Sequence, residues 1–241
     1  MEFHIKCEPD QVSRYVLCPG SQRRAARIAE RFDDMEKVAD DRGIVVYTGY
    51  YKGVMMTSCG TGMGGPAVAI CMEELANLGA DTFVRVGSCG VFQDDQGPGD
   101  IIIASGTVRA GGTANAYLPL EFPAVPTYEV LEALVQTADG LEIPYTVGVG
   151  IAGDAFYSPR EAYEPGLLKK AGLVSVEMES DTLFIVGQFR GLRTGALYAS
   201  DGTNNEIKPA WGAEKYLQGE LDMITIALEG MLAIAKSDSE E

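Results

Sequence analysis

The strongest constraint in this chain is a recurring junction, in which a short apolar run stops on glycine, proline or a small hydroxyl and gives way to a helical pattern. Tyr15-Val16-Leu17-Cys18 stops at Pro19-Gly20, and Ser21 is placed to cap a helix with Ala25, Ile28, Ala29 and Phe32 on its inner side. Val54–Ser58, the second arm of a hairpin with Ile44–Thr48, leads to Gly60-Thr61-Gly62-Met63-Gly64-Gly65. Pro66 then opens a helix with Val68, Cys71, Met72, Leu75 and Leu78 inward and Gly79 as its stop. Strands over Asp100–Ala104 and Tyr145–Ile151, a helix over Pro126–Ala138 and a last strand over Gly195–Ala199 continue the alternation. A long C-terminal helix follows, with a frayed tail from Ser237. Strands alternating with helices, without a linker or repeat, predict one α/β domain over residues 1–241.

Arg85-Val86-Gly87-Ser88-Cys89-Gly90 is the unusual member of this series. It closes the apolar run Thr82-Phe83-Val84 with a guanidinium, a hydroxyl, a thiol and two glycines free to take positive φ. A fork-shaped arginine beside bare amides predicts an anion cradle at a strand end. The formal charge of −16 gives that cradle weight. Nucleic-acid binding needs a basic footprint that this chain lacks. An anionic ligand must therefore be held by arginines gathered locally against the global repulsion. Arg23 and Arg24, in the first turn after Ser21, are either solvated or hold an anion at that helix start.

Gly60–Gly65 satisfies G-x-G-x-x-G, but the acid that should follow the next strand is missing, and Asp81 precedes that strand instead. Dinucleotide binding is not favoured. Phe156-Tyr157 forms either a packing corner or a platform for a flat ligand. Glu177 and Glu179 interrupt an apolar run, two residues apart, so on an extended segment they point the same way. They either cap the following helix or accept hydrogen bonds from a ligand's hydroxyls. Asp201, just beyond a buried strand, stands where α/β folds place chemistry or where a turn needs a cap. Five cysteines, an odd number without metal-type spacing, predict reduced thiols in the cytoplasm, and no apolar run has the length of a membrane span.

Taken together, these stretches resemble the hexameric nucleoside phosphorylases, which include purine nucleoside phosphorylase and uridine phosphorylase. The matching segments are Pro19-Gly20 with Arg24, Arg42-Gly43, Gly60–Gly64, Arg85–Gly90, Phe156-Tyr157, Val176–Glu179 and Ser200-Asp201, in family order along nearly the whole chain. The resemblance implies a three-layer α/β/α sandwich around a mixed, partly barrel-like sheet. It implies a phosphate site of Gly20, Arg24, Arg85 and Ser88, with Arg42 reaching in from a neighbouring subunit. Met178 and Glu179 would hold the ribose, joined by His4 of the adjacent protomer. Cys89, Gly90, Phe156, Val176, Glu177 and Ser200 would surround the base, and Asp201 would be the catalytic acid. The family pattern further implies a homo-oligomer, at least a dimer and as a rule a hexamer. Inorganic phosphate is a co-substrate, no cofactor is expected, and neither a nucleic acid nor a membrane is a partner. The glutamate and serine that bind potassium in some relatives fall on Gly43 and Ala67, so no metal is implied.

For the base, Leu118–Val125, Gly64-Gly65-Pro66 and Met178-Glu179-Ser180 read like uridine phosphorylases. The window after the aromatic pair, Ser158-Pro159-Arg160-Glu161-Ala162, lacks their Gln-x-Arg arrangement, and Ser200-Asp201-Gly202 is a purine-type ending. Lys215 would assist Asp201. Purine nucleosides are accordingly expected ahead of uridine. A nucleosidase or a non-catalytic nucleoside binder ranks behind both, since water as the attacking group needs no arginine cradle.

Overall fold

The computed structural model describes residues 1–158, 166–203 and 212–240. The chain opens with β1 (Tyr15–Cys18), α1 (Gln22–Ala29), β2 (Asp33–Asp41), β3 (Ile44–Tyr51) and β4 (Val54–Gly60). It continues through α2 (Gly65–Asn77), β5 (Thr82–Val91), β6 (Ile101–Ala110), α3 (Thr113–Tyr117) and α4 (Tyr128–Gly140). The last part comprises β7 (Tyr145–Gly153), α5 (Leu167–Lys170), β8 (Ser175–Glu177), α6 (Ser180–Arg190), β9 (Arg193–Ser200) and α7 (Glu214–Asp238).

The described strands form one mixed sheet in the order β2-β3-β4-β1-β5-β8-β7-β6-β9, and a further β5–β9 pairing ties the far end back. Strands β5, β8, β7, β6 and β9 thereby close into a barrel, while β1, β4, β3 and β2 extend from it as an open wing. Two apolar cores flank the sheet. One gathers Val68, Met72 and Leu75 of α2 with Leu183, Phe184 and Ile185 of α6. The other gathers Ile28 of α1, Val130 and Leu134 of α4, and Ile224, Leu228 and Met231 of α7. The α/β/α layering that the family resemblance implies is thus present. Each such side chain contributes roughly 1.5–3 kcal/mol by leaving water. A charged group lodged between these layers is tolerated only if it is partnered.

Three local expectations need correction. The strand does not end at the Arg85–Gly90 cradle: β5 runs on to Val91, so Arg85–Gly90 lies inside it. β2, an acidic and mostly exposed strand paired antiparallel with β3, has no apolar alternation to betray it. The C-terminal tail is not frayed at Ser237, because α7 reaches Asp238, whose carboxylate binds Arg193 (2.6 and 2.8 Å) and the Tyr15 hydroxyl (2.8 Å).

Candidate active site

Strand β5 pairs with β1 as far as Arg85 and with β8 from Gly90 onward, while β9 accompanies it from Thr82 to Cys89. Residues 86–89 therefore lie between the end of one partner strand and the start of the next. The segments leaving β1 and β8 bring Gly20, Arg24, Glu177 and Glu179 to that interval.

Side chains alternate along a strand, so Arg85, Gly87 and Cys89 share one face. Arg85 is 4% exposed. Its Nε donates to Glu177 Oε2 at 2.8 Å and its Nη2 to Glu179 Oε2. Both carboxylates reach one guanidinium, although β8 ends at Glu177 and Glu179 already stands at the start of α6. Burial works against the charge of Arg85, but Glu179 and Glu177 outweigh it and hold the guanidinium ionised. Its Nη1 is buried and has no partner among the described residues. A Cβ on Gly20 would lie 3.7 Å from that nitrogen, so Gly20 and Arg85 Nη1 share one spot. Neither Gly87 nor Gly90 has positive φ. Gly87 is small for another reason: a Cβ there would come within 3.1 Å of Arg85 Nη2 and 3.0 Å of the Tyr198 ring.

The two glutamates divide the roles left open by the sequence. Glu177 accepts from Arg85, from the amides of Glu179 (3.0 Å) and Ser180 (2.9 Å), and from the Ser180 hydroxyl (2.6 Å). It therefore secures the start of α6. Glu179 accepts from the Gly64 amide at 2.6 Å and from Arg85. The glycine loop thus grips a carboxylate of this protein, with φ of 88° at Gly64, where a dinucleotide reading would put pyrophosphate. Nearby Asp181 accepts from the amides of Thr182 (2.6 Å) and Gly111 (3.3 Å). Burial, aided by the charge of Glu177, pushes its carboxyl up to about 6.

On the other face, Ser21 caps α1 and accepts from the Arg24 amide at 3.3 Å. Arg24 is 5% exposed, and each of its three nitrogens has a partner. Its Nε donates to Glu220 (2.8 Å), its Nη1 to the Val86 carbonyl (3.2 Å), and its Nη2 to Ser88 Oγ (2.7 Å) and Tyr216 Oη (2.9 Å). Glu220 also pairs with Arg27. Tyr216 and Glu220 were not among the expected site residues. The available signal was their i,i+4 spacing, which puts a phenol and an acid together on one face of the C-terminal helix. The first turns of α7 are seated backbone to backbone on Gly99. A Cβ on Gly219 would strike the Gly99 carbonyl oxygen and lie 2.6 Å from its Cα.

At the far end of β5, Gly90 pairs with Val176, whose Cγ1 lies 3.0 Å from where a Gly90 Cβ would be. Val176, Phe156 and Tyr157 are exposed, the two rings edge to face at 4.9 Å, and Met178 is half-buried. Ser200 is fully buried, and its hydroxyl donates to the Gly97 carbonyl. Asp201, 2% exposed, donates its amide to the Cys89 carbonyl at 3.0 Å. Cys89 is held neutral by burial and then by the charge of Asp201, so no thiolate nucleophile stands at the site. The window from Pro159 to Ala162 lies outside the described residues.

His4 and Arg42 sit together elsewhere. Phe3 stacks edge-on against His4 (4.8 Å), and the Arg42 guanidinium lies over the Phe3 ring at 5.8 Å. Glu74 binds the His4 ring (2.5 Å) and the amides of His4 and Ile5. Burial opposes its ionisation, yet the Ile5 amide and His4 hold its carboxyl below the usual range. Among the described residues, neither His4 nor Arg42 is hydrogen-bonded to Arg24, Arg85 or Ser88.

Residues 14–227 match the model of the phosphorylase superfamily. A uridine phosphorylase of Thermococcus kodakarensis is 37% identical, over 100% of this chain and 89% of its own. A guanosine phosphorylase of Halorubrum lacusprofundi is 38% identical, over 83% of this chain and 82% of its own. The crystal structure of a uridine phosphorylase from Vibrio fischeri superposes with a TM-score of 0.90 at 33% identity, covering 95% of this chain and 96% of that one.

Proposed function

The chain belongs to the phosphorylase superfamily and is a nucleoside phosphorylase, a pentosyltransferase, and on that premise we propose that its nucleoside is uridine, cleaved by phosphate to uracil and ribose 1-phosphate. The choice of base rests on the recurrence of uridine phosphorylases among the relatives that span almost the whole chain. It replaces the purine preference read from Ser200-Asp201-Gly202, an ending whose serine hydroxyl is engaged with Gly97. Guanosine is the second reading, on the strength of the Halorubrum relative.

The observation that carries the phosphate site is Arg85 Nη1, a buried guanidinium nitrogen without a partner among the described residues, beside Gly20. A buried donor left this way is costly unless a ligand completes it. Phosphate held there, with Arg24 and Ser88 across β5, attacks C1′ of the ribose as the glycosidic bond breaks. Its negative charge stabilises the ribosyl cation that develops. Glu179 has a lone pair left on each oxygen after serving Gly64 and Arg85, enough to accept from the 2′- and 3′-hydroxyls. Asp201 offers a carboxyl to the departing base. His4 and Arg42, gathered on one patch through Phe3, complete the site of a neighbouring copy in a dimer-based oligomer.

The test is base release from uridine, guanosine, inosine and adenosine, with and without phosphate. Uridine cleavage that requires phosphate and outpaces the purine nucleosides is expected. A faster purine nucleoside would overturn the choice of uracil, and rates indifferent to phosphate would overturn the phosphate site.

A further inference from the structure

Arg24 Nη2, Ser88 Oγ and Tyr216 Oη form a closed triangle, with separations of 2.7, 2.9 and 2.9 Å. A guanidinium only donates, so both hydroxyl oxygens accept from Arg24. The contact between the two hydroxyls uses a single proton. Of the two O–H protons, one is therefore left without an acceptor inside the triangle. Tyr216 is 1% exposed and has no other hydrogen-bond acceptor among the described residues, whereas Ser88 is half-buried. The arrangement that strands neither proton has Tyr216 donating to Ser88. Ser88 Oγ then has both lone pairs filled, by Arg24 and by Tyr216, and keeps only its own proton to offer.

We propose that Tyr216 is a positioning residue for the phosphate site: by filling the second lone pair of Ser88, it turns that hydroxyl into a one-way donor aimed at an acceptor-only anion. This role rests on the reading of Arg24 and Ser88 as phosphate ligands. Without Tyr216, the Ser88 hydroxyl is free to rotate and to present a lone pair to the anion, which repels it.

The test is Tyr216→Phe, which keeps the ring in its buried slot, assayed by varying phosphate and nucleoside separately. The phosphate KM should rise about five- to tenfold, less than the loss of a whole hydrogen bond to a charged ligand because the Ser88 hydroxyl is misdirected and not removed, with the nucleoside KM unchanged to within about twofold. Ser88→Ala alone should raise the phosphate KM at least as much. Adding Tyr216→Phe to Ser88→Ala should then change it by less than about twofold, because the tyrosine acts through the serine. Equal rises in both KM values, or a full additional effect in the double variant, would overturn the role. A wild-type protein that cleaves nucleoside without phosphate would defeat the underlying phosphate reading. A phosphate-dependent wild type whose Tyr216→Phe variant keeps its phosphate KM would defeat the tyrosine's role alone.

Discussion

Arg85 and Arg24 are buried on opposite faces of the same strand, and they are held in opposite ways. Arg85 is one guanidinium against two carboxylates, Glu177 and Glu179, with a nitrogen still open. Arg24 shares one carboxylate, Glu220, with a second cation, Arg27, and every one of its nitrogens has a partner. The first side carries surplus negative charge and a nitrogen without a partner among the described residues, the second surplus positive charge and a partner on every nitrogen. An incoming phosphate would thus find its vacancy on one face and its attraction on the other. Desolvation by burial favours neither charge, so such asymmetry has to be built from partners.

Stability separates the two sides most sharply. Arg85→Ala would leave two buried carboxylates facing each other, and a loss of about 4 kcal/mol is expected in denaturant unfolding. Arg24→Ala leaves Glu220 paired with Arg27, so about half that loss, roughly 2 kcal/mol, is expected. Equal losses would break the comparison.

The negative surplus beside Arg85 can be read from pH. Asp181 has its carboxyl raised from the usual 3.8 to about 6, first by burial and then by Glu177. The folded protein thus binds this proton more tightly than the unfolded chain. Stability from this group falls as pH rises from about 4 to about 6 and is level above, by up to ~3 kcal/mol. Asp181→Asn lacks that slope, so the unfolding free energies of wild type and variant should converge or diverge only within that window. Parallel pH profiles would remove the surplus charge from the account.

Glu179→Gln sharpens the comparison further. Losing one charge-assisted acceptor should raise the nucleoside KM on the order of tenfold. The phosphate KM should hold or fall, because a negative charge has left its neighbourhood. The smallest effect belongs to Ser21→Ala, which removes the cap of the helix that carries Arg24. It should cost about 1 kcal/mol of stability, with the phosphate KM shifting more than the nucleoside KM.

Much of this architecture was readable in advance, for identifiable reasons. The alternation of strands and helices and the inner faces of the helices followed from apolar periodicity, and the Ser21 cap from its place between Pro19-Gly20 and the helix. Glu177 and Glu179 stood out as carboxylates interrupting an apolar run, though a strand-to-helix junction, and not a strand period of two, brings both to Arg85. What escaped were features whose cause is remote in sequence. β2 is an edge strand whose exposed side chains owe nothing to a core. Gly87 and Ser88 weaken local strand propensity, yet β9 carries β5 through them because closing the barrel requires it. Tyr216 and Glu220 look like ordinary helix residues until α7 lies against α1 and β5, bringing them to Arg24 across almost two hundred residues.

The seating of Gly219 on Gly99 has a consequence for how this enzyme can drift over generations. Gly219 stands between Tyr216 and Glu220 on α7, and there is no room for even one methyl group against the facing backbone. A Gly219→Ala change is therefore a lever: α7 must lift from its bed, and the two partners of Arg24 that it carries, Tyr216 and Glu220, lift with it. Positions 99 and 219 are silent in chemistry, yet they form a gauge block that sets how far the cradle stands from its supports. Selection acting on phosphate affinity would be felt at these two glycines before many residues that face the ligand.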